Sequence, residues 1–378
     1  MKILVANLGS TSFKYRLFDM TDERELVRGG IERIGGDEVP DHAAAIDRAL
    51  EHLVSSGAVK TLDELSGIGF KAVHGGGRWE TALVTDEVLA TMEEFSDVAP
   101  AHNPAYIAAM RSFRVRLPRV PQVAAFETGF HRTIPEARQV FAIPYEWTEK
   151  LGVRRYGFHG ASHRYIAGRT AELLGRDDAR VISCHLGGSS SICAIDAGRS
   201  VANSLAMTPQ SGTPHNNRVG DFDVYALRKL LARTGHSVEE LLDIMAREGG
   251  LLGISGVSND LRDIEAAADH GNERARLAIE VLAESVRHYI GAYAVALGGF
   301  DALVFTGGIG ENAVALRARI CKGMEFLGLE LDAKRNQTRG GEAILSTETS
   351  KVSVMIVPTN EEIVVARQTQ QQLANQEK

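Results

Sequence analysis

The chain has 378 residues, 44% of them hydrophobic and 24% charged, enough for two globular domains with sizeable cores. A formal charge of −7 excludes a general binder of nucleic acid or of anionic membranes, so an anionic ligand must be drawn in by local positive charge. The three cysteines, Cys184, Cys193 and Cys321, form no CxxC pair, which excludes a disulfide framework or a structural zinc site.

In chain order, strand signals fall at residues 3–6, 14–18, 68–73 and 123–126, then at 181–184, 192–195, 303–306 and 352–357. Helical patterns lie between them, which predicts an α/β fold. The hairpin-like start of each half predicts mixed sheets. The apolar N-terminal strand is too short for a signal-peptide core. The longest apolar stretch, residues 289–300, is too short for a membrane span. A cytoplasmic location is expected. Ser237-Val-Glu-Glu240 and Thr359-Asn-Glu-Glu362 read as capping boxes opening helices. Residues 273–297 carry a long helical period. Residues 208–221 are packed with turn formers and carry Arg218, a candidate mobile cation. The glutamine-rich tail after Arg367 reads as a helix end fraying into disorder.

Two turns look like copies of one another. Asn7-Leu-Gly-Ser-Thr-Ser-Phe-Lys14 and His185-Leu-Gly-Gly-Ser-Ser-Ser-Ile192 each follow a short apolar strand and lead into another. Glycine lets a backbone approach a ligand closely, and successive N–H groups there form an anion nest. Two such turns in duplicated halves suggest phosphoryl transfer with a cleft between the halves. A third segment, Phe305-Thr-Gly-Gly-Ile-Gly-Glu-Asn312, follows a strand and opens a helix. It suits a nucleotide at a helix N-terminus, and a tight packing turn equally well.

Histidines gather in short polar motifs around His74, His102, His131, His159, His163 and His185. No HExxH-type ligand spacing occurs, so they read as donors toward phosphoryl oxygens rather than as metal ligands. Glu127 and Glu361 lie at strand or turn ends and could hold magnesium, which commonly takes one or two carboxylates with phosphate and water. Glu361 could equally complement a helix dipole.

Together these motifs, with Val73-His-Gly-Gly76, His102-Asn-Pro104, Phe126-Glu-Thr-Gly-Phe-His131, Tyr156-Gly-Phe-His-Gly-Ala-Ser-His163, Gly256-Val-Ser-Asn-Asp-Leu-Arg262 and Pro358-Thr-Asn-Glu-Glu362, resemble the acetate kinase family. That family lies within the phosphotransferase superfamily that also holds actin and hexokinase. The resemblance implies two similar ribonuclease H-like (actin-like ATPase) domains with mixed sheets around a central cleft. It places one over residues 1–128 with 363–378 and the other, nucleotide-binding, over 129–362. It also implies reversible, ATP-dependent phosphorylation of a short-chain carboxylate (acetate or propionate) to acyl phosphate, with Mg2+ or Mn2+, by a homodimer.

By motif, the resemblance puts Asn7 and Glu361 at the metal and Ser10, Ser12 and Lys14 near the phosphates. It makes His185, Leu186, Gly187, Gly188 and Ser189 the second phosphate turn. Asp260, Leu261 and Arg262, with Gly308, Ile309, Gly310, Glu311 and Asn312, would hold the adenosine. Glu127, His159 and Arg218 take catalytic positions, and Val73, Phe158 and Pro209 line the acyl pocket with His102.

The chain also departs from the family pattern. Lys71 stands for an arginine and loses its bidentate fork, with Arg78 the candidate to compensate. Glu127 replaces the usual aspartate, and the phosphate turn reads Gly188-Ser189. Residues 210–217 diverge, with Arg218 and Gly220 carrying over. Leu261 replaces an aromatic residue beside adenine. Ala101 replaces a leucine, which should widen the acyl pocket. Alternatives are a butyrate-like or pyrophosphate-dependent acyl kinase, or a nucleotide-binding clamp without catalysis.

Overall fold

The computed structural model describes residues 1–9, 11–100 and 102–376. Their strands are β1 (Lys2–Leu8), β2 (Ser12–Asp19), β3 (Arg24–Glu32), β4 (Leu65–Ala72), β5 (Thr81–Leu83), β6 (Gln122–Phe126), β7 (Arg180–His185), β8 (Ser191–Asp196), β9 (Arg199–Asn203), β10 (Ala302–Thr306), β11 (Ala343–Ile344) and β12 (Ser353–Ile356). They form two six-stranded sheets, ordered β3-β2-β1-β4-β6-β5 and β9-β8-β7-β10-β12-β11. Each begins with an antiparallel meander, continues through parallel pairs and ends on an antiparallel edge strand. The two sheets therefore follow one path, the arrangement of a two-domain actin-like ATPase.

All eight strand signals fall on strands. The four strands without a signal, β3, β5, β9 and β11, are the four sheet edges. Interior strands buried on both faces carry continuous apolar runs, whereas edges are short or half-wet. The exposed and half-buried residues of β3 illustrate the difference.

The chain divides into two compact units, Met1–Arg132 with the residues from Asn360 onward, and Thr133–Thr359. In the first, Leu4, Ala6 and Leu8 of β1 share a core with Ile46 and Leu53 of the helix His42–Ser55 and with Tyr106 and Phe113 of the helix Asn103–Arg116. The helix Glu361–Ala374 lies against β4 and β1. A Cβ on Gly69 would sit 2.3 Å from Thr369 Oγ1, so β4 needs glycine there for the helix to seat. The tail after Arg367 is thus ordered helix through Ala374, and Thr369 is fully buried. Glutamines on the outer face hid its apolar positions.

In the second unit, Ile279, Leu282, Val286 and Ile290 of the helix Glu273–Leu297 pack with Ile182, Cys184, Leu303 and Phe305 of the sheet. Ser237 and Glu240 form the expected capping box. The second box is not made: Asn360, not Thr359, caps its helix, accepting from the Ile363 N–H at 3.2 Å. All three cysteines are buried and free. Among the described residues no helix is long and apolar enough to cross a membrane.

Candidate active site

In the first unit, the parallel strands β1, β4 and β6 deliver Asn7, Lys71 and Glu127 to one end of the sheet, the end where open α/β sheets bind ligands. The Glu127 N–H donates to the Ala72 carbonyl at 2.9 Å, which sets its side chain beside Lys71. Lys71 Nζ lies 3.8 Å from Glu127 Oε1 and donates to Glu361 Oε2. Burial works against the ammonium charge, but Glu361 and then Glu127 outweigh it and hold the Lys71 pKa above its ordinary value. Asn7 Oδ1 accepts from the Tyr106 hydroxyl at 3.3 Å, which itself accepts from the Leu8 N–H at 3.0 Å. Burial pushes the Tyr106 phenol above its usual range.

Asn7, Glu127 and Glu361 offer hard oxygen donors, the chemistry magnesium or manganese requires. Among the described residues no group of three His, Cys, Asp or Glu side chains could hold a metal by itself. The set fits an ion that arrives with phosphate oxygens, and does not fit a protein-only cage.

Around this centre, His74 stacks on Phe95 with centroids 4.6 Å apart, and its Nδ1 accepts from the Gly76 N–H at 3.0 Å. Burial lowers its pKa to about 4, so it is a neutral, structural histidine. Asn103 braces it through bonds to both its backbone N–H and its carbonyl. Val73 packs on the same core, and His102 stands at the start of the helix Asn103–Arg116. Ser12 closes the first turn through its carbonyl, which accepts from the Gly9 N–H at 2.8 Å, and Lys14 is exposed on β2. Ser10 and Ala101 lie outside the described residues. Arg78 donates to Thr91 Oγ1 at 3.2 Å and lies 3.6 Å from Glu94, both on the helix Asp86–Glu94.

The second unit builds its site from imidazoles, hydroxyls and the Arg218 guanidinium. His159 precedes the helix Gly160–Leu174 with φ +56°, a left-handed conformation that costs free energy in a non-glycine residue and clusters at functional sites. Its ring stacks on His185 with centroids 4.4 Å apart. His185 Nδ1 meets Ser162 Oγ at 2.8 Å, and His163 Nδ1 meets Ser183 Oγ at 2.9 Å. Ser191 Oγ lies 2.8 Å from His159 Nδ1 and 2.7 Å from His163 Nε2. One hydroxyl has one proton to give, so at least one of those two rings presents an N–H to it. His163 was read from the sequence only as one of several histidine donors, and the three serines were given no role. Their signal was the i,i+4 spacing from His159 on a helix and the alternation of Ser183 with His185 on β7.

Arg218 Nη1 donates to Ser189 Oγ and to the Pro209 carbonyl, both at 3.2 Å. Burial lowers its pKa, but a guanidinium stays charged. Its loop is braced by contacts with the rest of the unit. Asp221 Oδ1 accepts from the Gly212 N–H at 2.8 Å, and Asp221 Oδ2 accepts from the Tyr289 hydroxyl. Gly250, at φ +58°, touches the loop so closely that a Cβ would lie 2.1 Å from the His215 carbonyl. Phe158 is buried, with its carbonyl accepting from Asn203 Nδ2 at 3.2 Å, and Pro209 is half-buried.

Several members of the adenosine set have partners within the unit. Ile309 and Gly310 N–H groups donate to the Leu186 carbonyl at 2.9 and 3.1 Å, so they join the third glycine segment to the β7–β8 turn. Both N–H groups are used in packing within the unit. Leu186 itself is buried, leaving its backbone to the turn. Gly187 N–H donates to Ser190 Oγ at 3.2 Å, and Gly188 is exposed. Gly308 and Asn312 are exposed, with Asn312 Nδ2 on the Gly308 carbonyl at 2.9 Å. Burial raises the Glu311 pKa. Asp260 caps the helix Leu261–Asp269 and pairs with Arg262 at 2.5 Å on the surface. Leu261 is buried in the unit's core, so its side chain is no adenine platform.

Comparison with known proteins agrees with this architecture. The model of the Acetokinase family matches residues 2–367. The chain is 44% identical to an acetate kinase of Geobacillus sp. (strain WCH70), covering 97% of both chains. Among solved structures, a Porphyromonas gingivalis acetate kinase is 40% identical with a TM-score of 0.92, covering 98% of this chain and 99% of that one. A propionate kinase from Francisella tularensis subsp. tularensis SCHU S4 is 34% identical with a TM-score of 0.91 over the same shares. With a family model spanning nearly the whole sequence and relatives matching end to end, the chain belongs to the acetokinase family.

Proposed function

We propose that this chain catalyses reversible, ATP-dependent phosphorylation of a short-chain carboxylate, acetate or propionate, to acyl phosphate. Family membership makes it a phosphotransferase acting on a carboxylate. The observation that carries the finer reading is Arg218, whose guanidinium is held on Ser189 of a phosphate-type turn whose strand ends in the stacked His185.

A carboxylate is already ionised at neutral pH and gains little from a strong base. The barrier is bringing that anion in line with the γ-phosphate of another anion, so positioning and charge neutralisation carry the reaction. In this reading Arg218 and His159 stabilise the equatorial phosphoryl oxygens. Gly187 to Ser189 hold the nucleotide phosphates, and Phe158, Pro209 and Val73 contact the acyl group. Asn7 and Glu361, with Glu127, would hold magnesium, which when bound neutralises phosphate charge. Lys71 bridges the two carboxylates and balances their charge. A cytoplasmic homodimer belongs to the same reading, and sedimentation at several concentrations measures that state.

A hydroxamate assay with ATP and magnesium, run across acetate, propionate, butyrate and isobutyrate, tests the proposal. Turnover should peak at two or three carbons. Because Ala101 replaces a bulkier residue, propionate should be used about as well as acetate, one methylene in a fitted pocket being worth roughly 1–3 kcal/mol. A strong preference for acetate in kcat/KM would refute the widened pocket. Turnover with pyrophosphate but not ATP would refute the nucleotide donor.

A further inference from the structure

Three consecutive residues of the β7–β8 turn are each held by the loop that carries Arg218. The Asn216 N–H donates to the Gly188 carbonyl at 3.3 Å, and Arg218 Nη1 donates to Ser189 Oγ at 3.2 Å. The Ser190 N–H donates to His215 Nδ1 at 2.8 Å. Of these the histidine contact is the most enclosed, since His215 is 1% exposed and Ser190 2%. The opposite ring nitrogen, Nε2, faces the Ser211 carbonyl at 3.1 Å. His215 also uses its backbone, donating to the Arg218 carbonyl at 3.1 Å and accepting from the Leu251 N–H at 2.9 Å.

These partners leave the ring one state. Nδ1 meets an N–H and must be bare, while Nε2 meets a carbonyl and must carry the proton. An imidazolium would set two donors against each other at Ser190. No other neutral side chain of this size accepts at one point and donates at another across a rigid ring. Burial agrees, holding the pKa down to about 4.

We infer that His215 is a positioning residue, a rigid neutral bridge that locks the Arg218 loop to the phosphate turn so that the guanidinium meets the phosphoryl group at a fixed distance. The inference rests on the reading in which Arg218 serves phosphoryl transfer. It assigns His215 no contact with substrate. Its loss should therefore lower kcat, through a displaced arginine, more than it raises KM for the carboxylate.

Kinetics and hydrogen–deuterium exchange on the full chain, comparing the parent with His215→Leu, His215→Gln and His215→Asn, test the bridge. Leucine removes both ring contacts. Glutamine keeps a donor toward Ser211 but loses the acceptor, and asparagine keeps the acceptor at the Nδ1 position. His215→Leu and His215→Gln should lose about 10–100-fold in kcat, the scale of a small misplacement. Their carboxylate KM should stay within about threefold. Exchange should quicken together in peptides covering residues 186–192 and 209–218, and His215→Asn should restore both kcat and protection at 186–192. Parental kcat in folded His215→Gln, or faster exchange in the loop with the turn unchanged, would overturn the bridge. A parent that makes no acyl phosphate would overturn the function assigned to Arg218, and the exchange comparison would still decide the bridge. Should His215→Leu fail to fold, the glutamine and asparagine pair decides it.

Discussion

The two units repeat one sheet path, yet they treat their buried polar groups in opposite ways. At the end of β1, β4 and β6 the first unit gathers one ammonium and two carboxylates, Lys71, Glu361 and Glu127. The second unit sets the cation Arg218 at its turn, beside hydroxyls and carbonyls and close to a cluster of imidazoles. In the first, each charge is satisfied by another charge, so removing one strands the rest in a poorly solvated place. In the second, removing the cation leaves groups that still satisfy one another. Function and stability should thus be coupled in the first unit and separable in the second.

The largest effect expected is on Arg218. Arg218→Ala should cost about 10³ or more in kcat, the scale of arginine fingers, while thermal stability stays near the parent's. Near-normal turnover would remove Arg218 from the mechanism, and a large loss of stability would remove the contrast between the units. Lys71→Met should do the reverse in the first unit and destabilise by about 3–5 kcal/mol, the cost of breaking a buried ion pair from one side. Lys71→Arg should keep most of that stability, because it keeps the charge. Urea unfolding of both variants measures this, and a Lys71→Met protein as stable as the parent would show that the cluster is solvated.

Acid sharpens the comparison at a place where the units are alike. Each holds a buried histidine whose pKa burial lowers to about 4, His74 in the first and His215 in the second. The folded value lies below the ordinary 6.5, so the unfolded chain binds protons first. Their contribution is fully present above pH 6.5 and is lost as pH falls from there through about 4. The loss approaches about 3 kcal/mol for each. His74→Asn and His215→Asn, which cannot titrate, should each flatten the stability curve between pH 6.5 and 4.5. Curves parallel to the parent's would show that these rings titrate alike in both states.

Much of this was legible in the sequence, for a physical reason. Interior strands must be apolar on both faces, so all eight announced themselves, while the edges β3, β5, β9 and β11 face solvent and did not. The glycine-rich turns and Arg218 were visible because they rest on local sequence. The partners of Lys71 were not, because Glu361 lies 290 residues away and reaches it through the return of the last helix. The role of Ser191 between two imidazoles was hidden in the same way, by contacts 28 and 32 residues apart. The burial of Leu261 was not legible either, because it depends on which face of its helix meets the core.

The smallest effect bears on Lys71 through Arg78. The sequence left open that Arg78, just beyond the glycines, supplies the charge geometry lost when lysine stands for arginine. In the structure its guanidinium serves Thr91 and Glu94, and the Glu94 pair is solvent-exposed on both sides. Exposed pairs contribute about 0–1 kcal/mol, and salt screens them further. Arg78→Ala should therefore leave carboxylate KM and kcat within about twofold of the parent and shift stability by about 0.5 kcal/mol or less. A large rise in carboxylate KM would mean that Arg78 leaves its helix partners to meet substrate, and that the first unit recruits a second cation during turnover. Without such a rise, Lys71 is the cation on which that unit's carboxylates depend.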